Sequence, residues 1–128
     1  MGSPSSSGSL VAILPCNDLD ASERFYNRLR FVRRDEAVHA DYRILSNGAG
    51  GHLHLTPAVE DWLVPGRNPF GLYLYVEDVD GLAASVKDLW LGQRGPEHKP
   101  WGMYEFALSD PDETLVRIGW PSRLMQGS

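Results

Sequence analysis

A single cysteine, Cys16, in 128 residues rules out an internal disulfide and a multi-cysteine metal knot, and it fits a reducing compartment. Placed after Pro15, it reads as a small buried residue, and no base is identifiable beside it that would make it a nucleophile. Long apolar runs are also missing. No segment approaches the roughly 20 apolar residues that span a bilayer, and residues 1–8 lack the apolar stretch of a secretory signal, so a soluble, cytoplasmic chain is expected. Positive charge is scarce: 12 Lys+Arg stand against 17 Asp+Glu, for a net charge of -5, and no basic cluster interrupts the excess. Nucleic acid and anionic membrane are therefore poor partners, and a cationic small molecule suits the chain better. Catalytic signatures are absent as well, with no Gly-rich phosphate loop, no Gly-x-Ser-x-Gly elbow and no His-Glu-x-x-His pair. The acidic pairs Glu77/Asp78 and Asp110/Asp112 sit at a junction and a turn, where capping and turn formation account for them.

What is present suffices for one core. With 42% hydrophobic residues, a chain of this length can bury roughly two thirds of its unfolded surface in one domain, expected to run over residues 9–124. Residues 1–8, rich in Gly and Ser, are expected to be a tag or disordered, and 125–128 a flexible end. Residues 10–14 read as a strand closed by Pro15. Over 18–29, Ala21, Phe25 and Leu29 at four-residue steps give a buried helical face with Tyr26 at its edge, and Asp20 with Glu23 forms a capping-box-like pair. Residues 31–38 and 41–46 alternate as strands, and 47–51 link by a hairpin to a strand at 52–55. The pattern then repeats. Residues 70–76 predict a strand and 78–90 a helix, capped by Asp80 and stopped at Gly92; strands at 103–110 and 114–120 flank the turn 110–113. Asp18-Leu19-Asp20 recurs as Asp78-Val79-Asp80, 60 residues on, and the second hairpin mirrors the first at about 62 residues, so that Tyr104 matches Tyr42 and Phe106 matches Ile44. Two βαβββ units, over residues 9–56 and 69–120, are each too small for a stable core and are expected to share one.

Three stretches carry a family resemblance: Pro15-x-x-Asp18-Leu19-Asp20 with Phe25-Tyr26, Val76-Glu77-Asp78-Val79-Asp80, and Trp101-Gly102-Met103 followed by Asp110-Pro111-Asp112. In order and spacing the chain resembles the glyoxalase/bleomycin-resistance/extradiol-dioxygenase group, the vicinal oxygen chelate fold, over nearly the whole domain. The resemblance implies an α+β fold whose two modules form a curved mixed sheet around a central cup. It also supplies a test for metal, because the group's enzymes hold a divalent cation with His and Glu at matching strand positions. Those positions fall at about Val11 (or, after a one-residue slip, Leu10), at Gly71, at Arg117 and at His54. Only His54 is a capable ligand, with His52 on its face as at most a second, and a guanidinium at Arg117 would repel a cation. His39 and His98, at a strand end and in a loop, are assigned no chemistry. No metal, no cofactor and no catalytic residue are therefore expected. Glu113 stands where the group usually has glycine in left-handed backbone, which costs about 1 kcal/mol or marks a different turn.

Within the implied cup, Tyr73 and Tyr75 share the face of Gly71, and Arg117 that of Leu115 and Gly119, while Leu72, Leu74, Val76, Val116 and Ile118 point to the core. Trp101 stands at the start of a strand and Trp62 in the loop between modules. These four aromatic residues are expected to contact a ligand, with His54 and Arg117 as polar lining and Glu60, Asp61 and Glu105 attracting positive charge. The resemblance points to the bleomycin-resistance branch: a non-catalytic homodimer, with crevices between subunits and the first strand often exchanged, that sequesters a cationic glycopeptide antibiotic. Two alternatives stand beside it. One is a metal-dependent glyoxalase- or dioxygenase-type enzyme using His54, and the other is a chain that keeps the fold but binds protein.

Overall fold

The computed structural model describes residues 8–34 and 41–125. The first half runs β1 (Ala12–Cys16), α1 (Leu19–Arg28), β2 (Val32–Arg33), β3 (Arg43–Ser46) and β4 (His52–Pro57). The second runs β5 (Gly71–Tyr75), α2 (Val79–Ser85), β6 (Glu97–His98), β7 (Met103–Ser109) and β8 (Leu115–Pro121). Each half is a βαβββ unit that folds into a four-stranded sheet, in the order β1-β4-β3-β2 and β5-β8-β7-β6. β1 pairs with β4 and β5 with β8 in parallel, and the other neighbours are antiparallel. A parallel pair needs a long crossover, which the helix and the strands after it provide. The α+β class and the paired modules are as the sequence implies, but the curved surface is two sheets, with no strand pairing between them among the described residues. No described helix is long and apolar enough to cross a membrane. His39 and the end of the strand expected over 31–38 lie outside the described residues.

Both helix starts correct the expected caps. Asp18, in extended backbone, accepts from the Ala21 N–H at 3.1 Å, and Asp78 accepts from the Gly81 N–H at 2.9 Å. Asp20 and Asp80 are therefore first-turn residues, freed for other work: Asp20 pairs with Arg43 at 2.7 Å, and Asp80 accepts from the Tyr104 hydroxyl at 2.6 Å. In an Asp-x-Asp sequence the first aspartate caps because its side chain reaches the N–H three residues on, leaving the second to favour the helix dipole. Glu23 closes no box either; it holds Arg33 at 2.7 Å and Arg43 at 3.0 Å.

α2 stops at Ser85, short of the expected Trp90. The Trp90 indole N–H donates to the Ala83 carbonyl at 3.1 Å, taking the acceptor a further α-turn would need, and two 3-10 turns follow, with Gly92 left-handed in the second. β6 is also new. Between Gly95-Pro96 and Lys99-Pro100 a two-residue strand shows no alternation, yet His98 lies in it, opposite Tyr104, and not in a loop.

One core unites the halves. Leu14, Leu45, Leu53 and Leu55 of the first sheet pack with Phe106, Leu108, Val116 and Ile118 of the second, around Phe25, Tyr26 and Leu29 and around Val79, Leu82 and Ala83. Each of the Leu, Ile, Val and Phe side chains contributes roughly 1.5–3 kcal/mol on burial. Leu45 lies opposite Leu53 and Leu108 opposite Val116, so the two hairpins superpose at 63 residues. At the expected 62, exposed Ile44 would match buried Phe106, and a one-residue slip exchanges the two faces of a strand.

The turn after β7 locks the halves together. Asp110 accepts from the N–H groups of Asp112 (2.8 Å) and Thr114 (2.9 Å) and from the Tyr26 hydroxyl of α1 (2.7 Å). Asp112 accepts from Asn17 at 2.9 Å and from the Ser22 hydroxyl at 3.5 Å. Glu113 does take left-handed backbone, φ 66°, and its carboxylate accepts from the Gly66 N–H at 2.6 Å, offsetting the cost. Cys16 is buried beside this cluster, and desolvation pushes its thiol up to about 11, so it is not a nucleophile at neutral pH.

Burial also raises the Asp112 carboxyl above its ordinary value. The native state then holds that proton more tightly than the unfolded chain, so this group's contribution to stability falls as pH climbs from about 4 through the raised value. Asp112→Asn keeps an acceptor for Asn17 and offers an N–H to Ser22. Urea unfolding across the carboxylate range is expected to show the parent losing stability relative to this variant as pH rises; parallel profiles would contradict the assignment.

Candidate functional site

Strand alternation leaves one face of each sheet without a covering layer. On the second sheet, parallel pairing sets Gly71 beside Leu115, Tyr73 beside Arg117 and Tyr75 beside Gly119, with Leu72 and Leu74 turned to the core. Antiparallel pairing adds Glu105 opposite Gly119 and Ala107 opposite Arg117. Glu105 is the centre of this face. Only 3% exposed, its Oε1 accepts from the Tyr73 hydroxyl at 2.7 Å and from the Trp101 indole N–H at 3.3 Å, and its Oε2 lies 3.8 Å from Arg117 Nη1. A buried carboxylate persists only when so partnered. Gly119 makes room for the arrangement, since a Cβ there would stand 2.5 Å from the Tyr73 Oη and 2.7 Å from the Glu105 Cβ. Desolvation and then the bond to Glu105 raise the Tyr73 phenol above its ordinary value, keeping it a donor.

Rings surround this centre. Tyr73 and Tyr75 are 4.9 Å apart, Tyr75 meets Trp120 edge-on at 6.3 Å, and the Arg117 guanidinium lies 5.9 Å from the centroid of Trp101, which is 58% exposed. A cavity of about 440 Å³ adjoins them, bounded by Trp101, Glu105 and Arg117 with Arg94, Glu97 and Lys99. Glu97 holds Arg94 at 3.0 Å and faces Lys99 at 3.6 Å. The volume is that of a small-molecule site.

The open face of the first sheet carries His54, between Ile13 and Ile44, with exposed His52 on the same side. The His54 Nδ1 meets the Tyr42 hydroxyl at 2.8 Å. The 63-residue offset makes His54 the counterpart of Arg117 and Tyr42 the counterpart of Glu105, so each module bears one polar pair at the same place. This register tests the fit to the divalent cation of the group's enzymes. Val11 and Gly71 supply no donor, and Arg117 brings a positive charge to the place of a ligand. Among the described residues no three His, Cys, Asp or Glu side chains converge. These residues do not fit the ion.

Trp62, Glu60 and Asp61 form a third group, in the loop between the modules. Their loop is tied down by Asn17 to the Leu63 carbonyl (3.0 Å) and Asn68 to the Thr114 hydroxyl (2.8 Å), and Trp62 stands 80% exposed at the mouth of an apolar cavity of about 570 Å³. Ile13, Val59, Phe70 and Leu72 line it, where β1 borders β5.

Of the residues singled out from sequence, the fold thus gathers Tyr73, Tyr75, Trp101, Glu105 and Arg117, and it leaves His54 on the first sheet's open face and Trp62, Glu60 and Asp61 in the loop between the modules. Glu105 needs correction: it is an internal acceptor, engaged and buried, and not a free acid drawing cations. Tyr42 and Lys99 are not among the residues that the sequence singles out for a site. The offset of the repeat marks Tyr42, as the partner position to Glu105; Lys99 carries no signal, because the two-residue β6 hides the local register.

The family model of the glyoxalase/bleomycin resistance protein/dioxygenase superfamily matches residues 9–118. No curated protein sequence matches. The chain is similar to the crystal structure of a bleomycin-binding protein complexed with bleomycin, at 28% identity over 89% of this chain and 98% of that one, with a TM-score of 0.70. It is also similar to a bleomycin resistance determinant encoded on the transposon Tn5, at 29% identity over 90% of this chain and 98% of that one, with a TM-score of 0.70. An antibiotic binding protein from Streptomyces sp. CB03234, 23% identical over 94% of this chain and 100% of that one, shares the fold with a TM-score of 0.70. Two βαβββ halves, their offset pairs of strand residues and the span of the sequence match agree, and this chain belongs to the glyoxalase/bleomycin resistance protein/dioxygenase superfamily.

Proposed function

We propose that this chain is a non-catalytic binding protein that sequesters a bulky antibiotic of the bleomycin class, a cationic glycopeptide, holding it away from DNA with no bond made or broken. The observation that carries this reading is the aromatic face assembled on Glu105, where Tyr73 and Trp101 are fixed by hydrogen bonds and leave flat surfaces for a planar ligand group. Stacking on fixed rings avoids the entropy cost of ordering them on binding. The likeness to a structure holding bleomycin supports the same ligand class. Two copies of the chain are inferred to close the crevice. Ile13 and Ile44 are exposed around His54 on the first sheet's open face, and a second subunit laid across the two open faces would cover them and wall the ligand. Sedimentation velocity is expected to give a dimer.

Titration of tryptophan fluorescence with bleomycin in the presence of EDTA tests the reading. A saturable change at micromolar drug is expected, and its absence would remove the antibiotic from consideration. Metal content separates this protein from the superfamily's enzymes. About one divalent ion per chain after purification, lost together with an activity in His54→Ala, would sink the binding-only reading.

A further inference from the structure

We infer that the open face of the second sheet recognises a planar aromatic group through a carboxyl-type oxygen at the ring's edge, carboxylate or carboxamide, with Arg117 binding the oxygen and Trp101 stacking on the ring. This rests on the reading of that face as the ligand site and adds which end of the ligand it takes.

Unspent donors carry the argument. A guanidinium offers five N–H groups, yet the nearest acidic oxygen to Arg117 is Glu105 Oε2 at 3.8 Å, beyond hydrogen-bond range. Glu105 cannot close that gap cheaply, because its Oε1 is committed to Tyr73 and Trp101. The Arg117 side chain is 44% exposed and its guanidinium stands over the Trp101 ring at 5.9 Å from the centroid, so an oxygen at the edge of a ring laid on the uncovered part of that face would meet the guanidinium fork. A planar fork matches a planar carboxyl group, and an ammonium does not.

Local charge points the same way. The cavity carries three cations, Arg94, Lys99 and Arg117, against two acids, Glu97 and Glu105. Glu97 is shared by Arg94 and Lys99 and Glu105 faces Arg117 at 3.8 Å, so three cations less two acids leave one net positive charge. In a chain of net charge -5, this pocket is locally positive. The positive groups of a cationic ligand would be turned away from it, and an electron-rich edge drawn in.

Four probes test the inference: 2-naphthoate, 2-naphthamide, 2-methylnaphthalene and 2-naphthylmethylammonium, each titrated at one ionic strength and followed through the Trp101 indole N–H resonance. Naphthoate is expected to bind at least about tenfold tighter than methylnaphthalene, naphthamide between them, and the ammonium probe most weakly. In Arg117→Met the ratio of naphthoate to methylnaphthalene should fall to within about twofold. Arg117→Lys, which keeps charge without the fork, should retain part of the naphthoate preference and lose that for naphthamide. Tightest binding by the ammonium probe, or an unchanged order in Arg117→Met, would overturn the inference. A bleomycin titration on the same samples separates the two claims: drug binding without the probe order sinks only this inference, and the Arg117-dependent order without drug binding sinks only the choice of antibiotic.

Discussion

Asp110→Ala is expected to lower the free energy of unfolding by roughly 3–5 kcal/mol, the largest single-residue loss of stability outside the apolar core. The carboxylate accepts three buried hydrogen bonds, from the N–H groups of Asp112 and Thr114 and from the Tyr26 hydroxyl. Truncation leaves all three donors without an acceptor, at about 1–3 kcal/mol for each that water cannot reach. Against a total of about 5–15 kcal/mol for a domain, this is a large share. The loss should be shared between turn and seam. Tyr26→Phe removes only the seam bond and is expected to cost about 1–2 kcal/mol, and a double-mutant cycle with Asp110→Ala should show coupling of similar size. Urea denaturation gives both numbers. A loss under 1 kcal/mol in Asp110→Ala would mean that the turn closes on backbone bonds alone, the Glu113 N–H to the Asp110 carbonyl at 2.8 Å and the Asp110 N–H to the Thr114 carbonyl at 3.0 Å.

That turn also explains how much of the site could be read from sequence. The faces of β5 and β8 were legible because alternation is strict there: Leu72, Leu74, Val116 and Ile118 turn inward, and Tyr73, Tyr75 and Arg117 turn outward. The α+β class was legible from the repeat of strand, Asp-x-Asp and helix. Partners across strands were not. Glu105 and Arg117 are diagonal neighbours, Glu105 opposite Gly119 and Arg117 opposite Ala107, a relation that depends on the length and hand of the turn between them. The sequence shows an acid in one apolar strand and a base in the next, joined by a tight turn, and that pattern is the signal from which the pair could have been drawn. The implied single cup groups His54 and Trp62 with the others, whereas two separate sheets put His54 on the first and the Glu105 cluster on the second, and Trp62 stands in the loop that joins them.

Glu105→Ala is expected to weaken bleomycin binding by about 10- to 100-fold while costing less stability than Asp110→Ala. The two effects separate because the donors around Glu105 have water within reach. Tyr73, Trp101 and Arg117 are each more than a third exposed, so their freed hydrogen bonds can pass to solvent. What is lost is position. Without the carboxylate, Trp101 has no anchor for its indole N–H, the Tyr73 ring no fixed hydroxyl, and ordering both again on binding costs about 0.5–1.5 kcal/mol per side chain. Each 1.4 kcal/mol is tenfold in affinity, which sets the range. Glu105→Gln supplies the control, because it keeps an acceptor oxygen for Tyr73 and Trp101 while an uncharged NH2 replaces the oxygen that faces Arg117, which makes no hydrogen bond to it at 3.8 Å. Its affinity should lie within about threefold of the parent, and Gly119→Ala, which fills the space Tyr73 reaches through, should behave like Glu105→Ala. Calorimetric titration of the three variants beside the parent decides the matter. If Glu105→Ala binds as tightly as the parent, the aromatic residues do not need this anchor and the ligand lies elsewhere on the fold, the apolar cavity beneath Trp62 being the next place to look.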